Sequence, residues 1–257
     1  MTAEKGQQNN ENIHWSFWLG VVFFVVVIIS MFAGSWFITK KMVAEEGAPV
    51  TSLVITGEMP YTIRQDVLSA VETIDLGNFF QVNVNEVQQQ VSQLPWVFSV
   101  SVRKHWPNEL KIYVVDQLPI AQWNGDFLIN SEGNTFQADT SRLKKSLPQF
   151  FGPEGTELMA LENYNNLNRL LDFSDLAIDE LVLSERFSWQ LTLNDGVLLN
   201  LGREDRIERI QRFMDVYPIL KEKKEDNQQV NYIDLRYDTG VAVGWKTTAT
   251  KTRKQRA

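Results

Sequence analysis

Residues Phe17 to Ile38 are 22 consecutive positions without a charge. At ~1.5 Å per residue they make about 33 Å of helix, enough to cross the hydrocarbon of a bilayer. Trp15 and Trp18 stand at one end of the run and Trp36, Lys40 and Lys41 at the other, where interfacial aromatics and snorkelling amines belong. Ala33-Gly34-Ser35 also offers small residues to a signal peptidase, but the run exceeds a signal core and no basic segment precedes it. An uncleaved helical anchor over 15–38 is expected, with a short tail at 1–14 and a linker at 39–50.

Beyond Gly47 and Pro49 the pattern turns to short amphipathic elements. Thr51 to Gly57 reads as a strand closed by a turn glycine. Thr62 can cap a helix in which Ile63, Val67, Leu68 and Val71 share a face, with Asp66 in its first turns and Gly77 beyond its end. Val84, Val87, Val91 and Leu94 predict a second helix from about Asn85 to Leu94, left at Pro95. Val97 to Arg103 and Leu110 to Val115 alternate with period two around the turn Trp106-Pro107-Asn108-Glu109. Strand, helix, helix, strand, strand over 51–117 predicts one small α+β module with both helices on one sheet face.

Residues 118–246 predict a mainly β domain with two helices. Ile120 to Trp123, Phe127 to Ile129 and Thr135 to Phe136 read as short strands with turns at Gly125 and Gly133. Pro148 to Gly155 reads as a breaker-rich connection, and Leu158, Leu161, Leu167, Leu170 and Leu171 mark a helical face. Trp189, Leu191 and Leu193, then Asn194-Asp195-Gly196, then Val197, Leu199 and Leu201 make a hairpin. Ile207, Ile210, Phe213, Met214 and Tyr217 predict a helix ending near Pro218. Tyr232 to Leu235 and Val241 to Val243 read as closing strands, ahead of a disordered basic tail at 247–257.

Charge narrows the function. The net charge is -7, and Lys251, Arg253, Lys254 and Arg256 fall in the last eleven residues without an acid, which leaves -11 for the rest. Nucleic acid is a poor partner for such a surface. There is no cysteine, hence no disulfide, thiol nucleophile or cysteine-based zinc site. His14 and His105 are the only histidines, and no nucleophile elbow accompanies them. Ser141-Arg142-Leu143-Lys144 fits the S-x-x-K pattern of penicillin-recognising enzymes, but its K-T-G companion is absent and chance explains one match in this length. The acidic residues fall in no metal or glycosidase spacing, and no phosphate-binding glycine loop occurs. No catalytic, metal or cofactor residue is assigned, and a binding protein is expected.

A resemblance sharpens this. Leu94-Pro95-Trp96-Val97, the run Val100 to Ile112, and Pro119-Ile120-Ala121-Gln122-Trp123-Asn124 resemble the FtsQ/DivIB family of bacterial division proteins, whose first extramembrane module is a POTRA domain. Glu132 to Phe136, Gly152 to Gly155, Ser188 to Asn194, Leu199 to Arg203, Tyr232 to Asp238 and Gly244-Trp245 continue it in family order. The resemblance implies a bitopic inner-membrane protein with its N-terminus in the cytoplasm and its two domains in the periplasm at the septum, binding FtsB and FtsL. Lys40 and Lys41 outnumber Lys5 and mildly oppose that orientation, a weak objection where a long domain follows the helix. Carried onto matching positions, the FtsB site comprises Arg236, Tyr237, Asp238, Thr239, Gly240 and Trp245, with Arg186 as a further candidate. Thr239 departs from the serine expected there and keeps the hydroxyl. Tyr237 and Trp245 would be apolar anchors, Arg236 a partner for a carboxylate, and Gly240 a point of close backbone approach. The competing reading of Trp245 is a core side chain. Arg103, Lys104 and Trp106 form a possible partner surface on the POTRA-like module or, equally, a solvated strand end. An outer-membrane assembly factor would need further POTRA repeats or a barrel, which the pattern after residue 118 does not supply.

Overall fold

The structure, a computed structural model, describes residues 15–43, 49–223 and 228–247. The expected tail at 1–14, residues 44–48 of the linker and all but the first residue of the basic tail lie outside the described residues. The chain falls into two compact units. One holds the residues up to Thr56 with Leu68–Val91 and Val100–Tyr113; the other holds Gly57–Val67, Ser92–Ser99 and the residues from Val114 onward.

Helix α1 is Trp15–Val43, 29 residues long, and runs past the predicted end at Ile38. Local contacts support the extra turn: Thr39 Oγ1 donates to the carbonyls of Ser35 and Trp36 at 2.9 Å, and the Lys40 amine lies 5.3 Å from the Trp36 ring centroid. Within Phe17–Lys41 an 18-residue window has a mean hydropathy of 2.6, and none of that window is buried against the rest of the protein. By length and composition α1 fits the span of a single-pass membrane protein.

β1 (Ser52–Glu58), α2 (Arg64–Glu72), α3 (Val84–Ser92), β2 (Val97–His105) and β3 (Glu109–Asp116) follow in the predicted order. β3 is the middle strand of a sheet ordered β1-β3-β2. Its alternation buries Leu110, Ile112 and Val114, while helical spacing buries Val67 and Val71 on α2 and Val87 and Val91 on α3.

Thr62, predicted to cap α2, takes another role. Its hydroxyl donates to Asp116 Oδ1 at 2.6 Å, and Asp116 Oδ2 accepts the backbone N–H groups of Tyr61 and Thr62 at 2.8 Å. The start of α2 is satisfied by Asp66, whose carboxylate accepts the Ile63 N–H at 3.1 Å, half of a capping box. Asp66 also receives Arg142 Nη1 at 2.5 Å. That hydrogen bond, stronger than the opposing effect of burial, holds the Asp66 pKa below its ordinary value. A depressed carboxyl pKa contributes stability above the unfolded pKa, and the contribution is lost as pH falls through the folded value. Asp66→Asn is therefore expected to lower the urea midpoint at neutral pH by an amount that shrinks below about pH 4. A pH-independent difference would assign the effect to capping geometry instead.

Among the described residues the second sheet has nine strands: β4 (Pro119–Trp123), β5 (Phe127–Asn130), β6 (Thr135–Phe136), β7 (Gln149–Phe151), β8 (Ile178–Leu183), β9 (Trp189–Leu193), β10 (Leu198–Gly202), β11 (Gln228–Asp234) and β12 (Ala242–Thr247). Their order is β12-β11-β10-β9-β8-β7-β4-β5-β6, with β4–β7, β7–β8 and β10–β11 parallel. Helices α4 (Glu157–Asp172) and α5 (Arg206–Lys223) pack on each other, on β8 and on β10 respectively. Phe150, Leu181, Trp189, Leu191, Leu199 and Phe213 lie at the centre of this core.

Two expectations need correction. The stretch from Pro148 to Gly155 is not only a connection, because β7 lies inside it between β4 and β8 with Phe150 fully buried. Three residues flanked by Pro148, Gly152 and Pro153 are too few to show a period. Helix α5 does not stop near Pro218 but continues to Lys223. Pro218 is exposed while Tyr217 is buried and Leu220 packs on the core, so burial offsets the lost backbone hydrogen bond. β8 has no counterpart among the strands that the sequence pattern predicts.

Candidate partner-binding surface

Among the described residues β12 is the end strand of the nine-stranded sheet, paired with β11 alone. The pairing is antiparallel and sets Trp245 opposite Val230, Gly244 opposite Tyr232 and Val243 opposite Ile233, with a bulge between Val230 and Tyr232. Val241 and Val243 pack against the core. Trp245 keeps 39% of its surface exposed, so it is not a core side chain.

The structure adds a residue pair that pattern reading missed. A Cβ on Gly244 would lie 2.0 Å from a ring carbon of Tyr232, so glycine is what lets the Tyr232 ring lie across β12. Such a glycine–aromatic pair shields an edge strand lacking a side chain of its own. The sequence holds both residues, but only the cross-strand register pairs them.

Arg236 to Gly240 form the connection between β11 and β12. Arg236, Tyr237, Asp238 and Thr239 are all exposed; Tyr237 is exposed by 58%, and its carbonyl accepts from Arg212 Nη1 at 2.6 Å. A Cβ on Gly240 would meet nothing within 4 Å, which leaves room for another backbone. Arg236 is held within its own chain: Nη2 lies 2.6 Å from Asp234 Oδ2 and Nε 2.9 Å from Oδ1. The guanidinium holds the Asp234 carboxyl below its ordinary pKa. Arg186 and Arg236, fifty positions apart, line one open cavity of about 590 Å³ with Arg203, Arg209, Glu204 and two serines, Ser184 and Ser188. Four guanidinium groups, that of Arg236 already paired with Asp234, stand around Glu204 and make a cavity suited to an anion.

On the three-stranded sheet, Arg103, Lys104 and Trp106 are exposed at the end of β2 and in the following turn, Trp106 by 76%. Ser141 and Lys144 are both exposed, Ser141 in a short 3-10 turn capped by Asp139. Among the described residues no group of three or more His, Cys, Asp or Glu side chains is placed to hold a metal ion.

The C-terminal domain model of the cell division proteins FtsQ/DivIB matches residues 121–236, and the FtsQ-type POTRA model matches residues 48–117. The chain belongs to the FtsQ family. It is similar to cell division protein FtsQ of Escherichia coli K12, 39% identical over 230 residues that cover 88% of this chain and 83% of that protein. Similarity to FtsQ of Shewanella oneidensis is 37% over 93% of this chain and 90% of the relative, and to FtsQ of Vibrio cholerae 36% over 88% and 86%. A role in cell division follows, together with the POTRA module and the mainly β domain. The C-terminal family match stops at Arg236, so β12 and Tyr237 to Trp245 lie beyond it.

Proposed function

We propose that this chain is a non-catalytic scaffold of the division machinery that holds FtsB, and with it FtsL, on the surface formed by β12, the connection before it and the Arg186–Arg236 cavity. The observation that carries the reading is the convergence of Arg186 with Arg236 beside an end strand whose Trp245, with Tyr237 in the connection before it, stays exposed. A strand with one free edge accepts a partner segment by backbone hydrogen bonds, aromatic anchors beside it add apolar contact, and guanidinium groups at its end receive carboxylates. In this reading α1 crosses the inner membrane with the N-terminus in the cytoplasm, and the folded units work in the periplasm at the septum, linking early and late division proteins. Arg103, Lys104 and Trp106 offer a second surface on the POTRA module.

Binding of the soluble fragment 48–257 to an FtsB segment tests the site. Tyr237→Ala and Trp245→Ala, both at exposed positions, are expected to fold normally and to weaken binding at least tenfold, about 1.4 kcal/mol. Unchanged affinity would move the site off β12. No binding by the unaltered fragment would remove the scaffold reading itself.

A further inference from the structure

Two contacts fix where the chain lands after it leaves α1. Pro49 forms an antiparallel bridge with Asn78, and the Thr51 N–H donates to the Asn108 carbonyl at 3.1 Å. Pro49 is six positions after Val43, the last residue of α1, so even a fully extended connection reaches no more than ~22 Å. The loop at Asn78 and the β2–β3 turn at Asn108 are thus leashed to the end of the membrane helix.

Both carry an exposed aromatic ring, Trp106 at 76% and Phe80 at 40%. Arg103 and Lys104 are exposed beside Trp106. Lys104 joins the two loops, its amine donating to the Phe80 carbonyl at 2.9 Å and lying 5.8 Å from the Phe79 ring centroid. Lys111 Nζ and His105 Nδ1 each lie 3.5 Å from Glu109 Oε1, and Asp75 on the other loop is turned to the Gly77 N–H. Exposed aromatics with a cationic rim, in a chain whose net charge is -7, have the chemistry of a bilayer interface, where tryptophan sits among headgroups and amines meet lipid phosphate.

We infer that this tip, Trp106 and Phe80 rimmed by Arg103, Lys104 and Lys111, rests in the headgroup layer of the membrane that α1 spans and binds anionic lipid there. It makes a second attachment that fixes the POTRA module's orientation to the bilayer instead of leaving it on a free leash. The inference rests on the membrane-span reading of α1.

The chain has no cysteine, so one introduced cysteine reports one place. Full-length protein carrying His105→Cys or Thr39→Cys, each labelled with an environment-sensitive fluorophore, is reconstituted into phosphatidylglycerol–phosphatidylcholine vesicles bearing a headgroup nitroxide quencher. The label at 105 is expected to be quenched at least about half as strongly as that at 39, and the quenching to fall about threefold with Trp106→Ser or in phosphatidylcholine alone. Quenching at 39 with none at 105 overturns the inference and leaves the span standing, whether the turn is bare or covered by a protein partner. Quenching at 105 that ignores both changes reports mere nearness and also overturns it. No quenching at either position overturns the span, and the inference with it.

Discussion

Alanine at Gly57 is expected to destabilise the folded chain by at least ~3 kcal/mol in urea denaturation. Gly57 lies in β1 with φ +137°, a region where a side chain costs ~1–3 kcal/mol whatever surrounds it. A Cβ there would also sit 1.8 Å from the Val114 carbonyl oxygen and 2.8 Å from its carbon and nitrogen. These are backbone atoms of the central strand β3, so no rotamer change relieves the overlap, and β1 must separate from β3 to admit the methyl group. Alanine at Gly125, which also has a positive φ but no atom within 4 Å of its Cβ position, carries the conformational cost alone and should lose ~1 kcal/mol. Equal losses at the two sites would mean that β1 yields freely, and that the sheet register is softer than its geometry implies.

The contrast between those glycines shows where pattern reading stops. Gly57 reads in sequence as the end of a strand, and its contact with Val114, nearly sixty positions away, is invisible there. What was legible is local: the alternation that buries Leu110, Ile112 and Val114, the helical spacing that buries Leu161, Leu167 and Leu171 on α4 though not Leu158, and the hairpin turned by Asn194-Asp195-Gly196. What was not legible depends on strand order. β7 and β8 join the middle of a sheet through parallel pairings that no turn announces, and a strand of three residues has no period to read. The hydrophobic burial that carries α5 through Pro218 outweighs a local stop signal for the same reason.

The candidate site divides the same way. The resemblance supplied the residues on the connection to β12 and Trp245. That β12 is the end strand, that Tyr232 lies over Gly244, and that Arg186 meets Arg236 all follow from the pairing of β11 with β10 on one side and β12 on the other. Arg186 precedes β9, two strands from β11 in the sheet and fifty residues from Arg236 in the chain, and the pairing alone makes them neighbours.

Asp116→Ala is expected to cost ~3 kcal/mol, again by urea denaturation, while Asp116→Asn costs about 1 kcal/mol. Asp116 is 7% exposed and Thr62 4%, so water cannot readily replace the three hydrogen bonds that Asp116 accepts from the Tyr61 N–H, the Thr62 N–H and the Thr62 hydroxyl. Alanine leaves two buried donors on Thr62 and the part-buried Tyr61 N–H without an acceptor, each costing on the order of 1 kcal/mol. Asparagine keeps one oxygen for the two backbone N–H groups and presents its amide to the Thr62 hydroxyl, which can turn and accept. A loss with asparagine as large as with alanine would mean that the negative charge, not the hydrogen-bond count, holds residues 61–62 to the end of β3. Neither substitution touches β12 or the Arg186–Arg236 cavity, so the molecules that remain folded should bind an FtsB segment within about twofold of the unaltered chain. That separation of stability from affinity is what makes the pair a control for the losses expected at Tyr237 and Trp245.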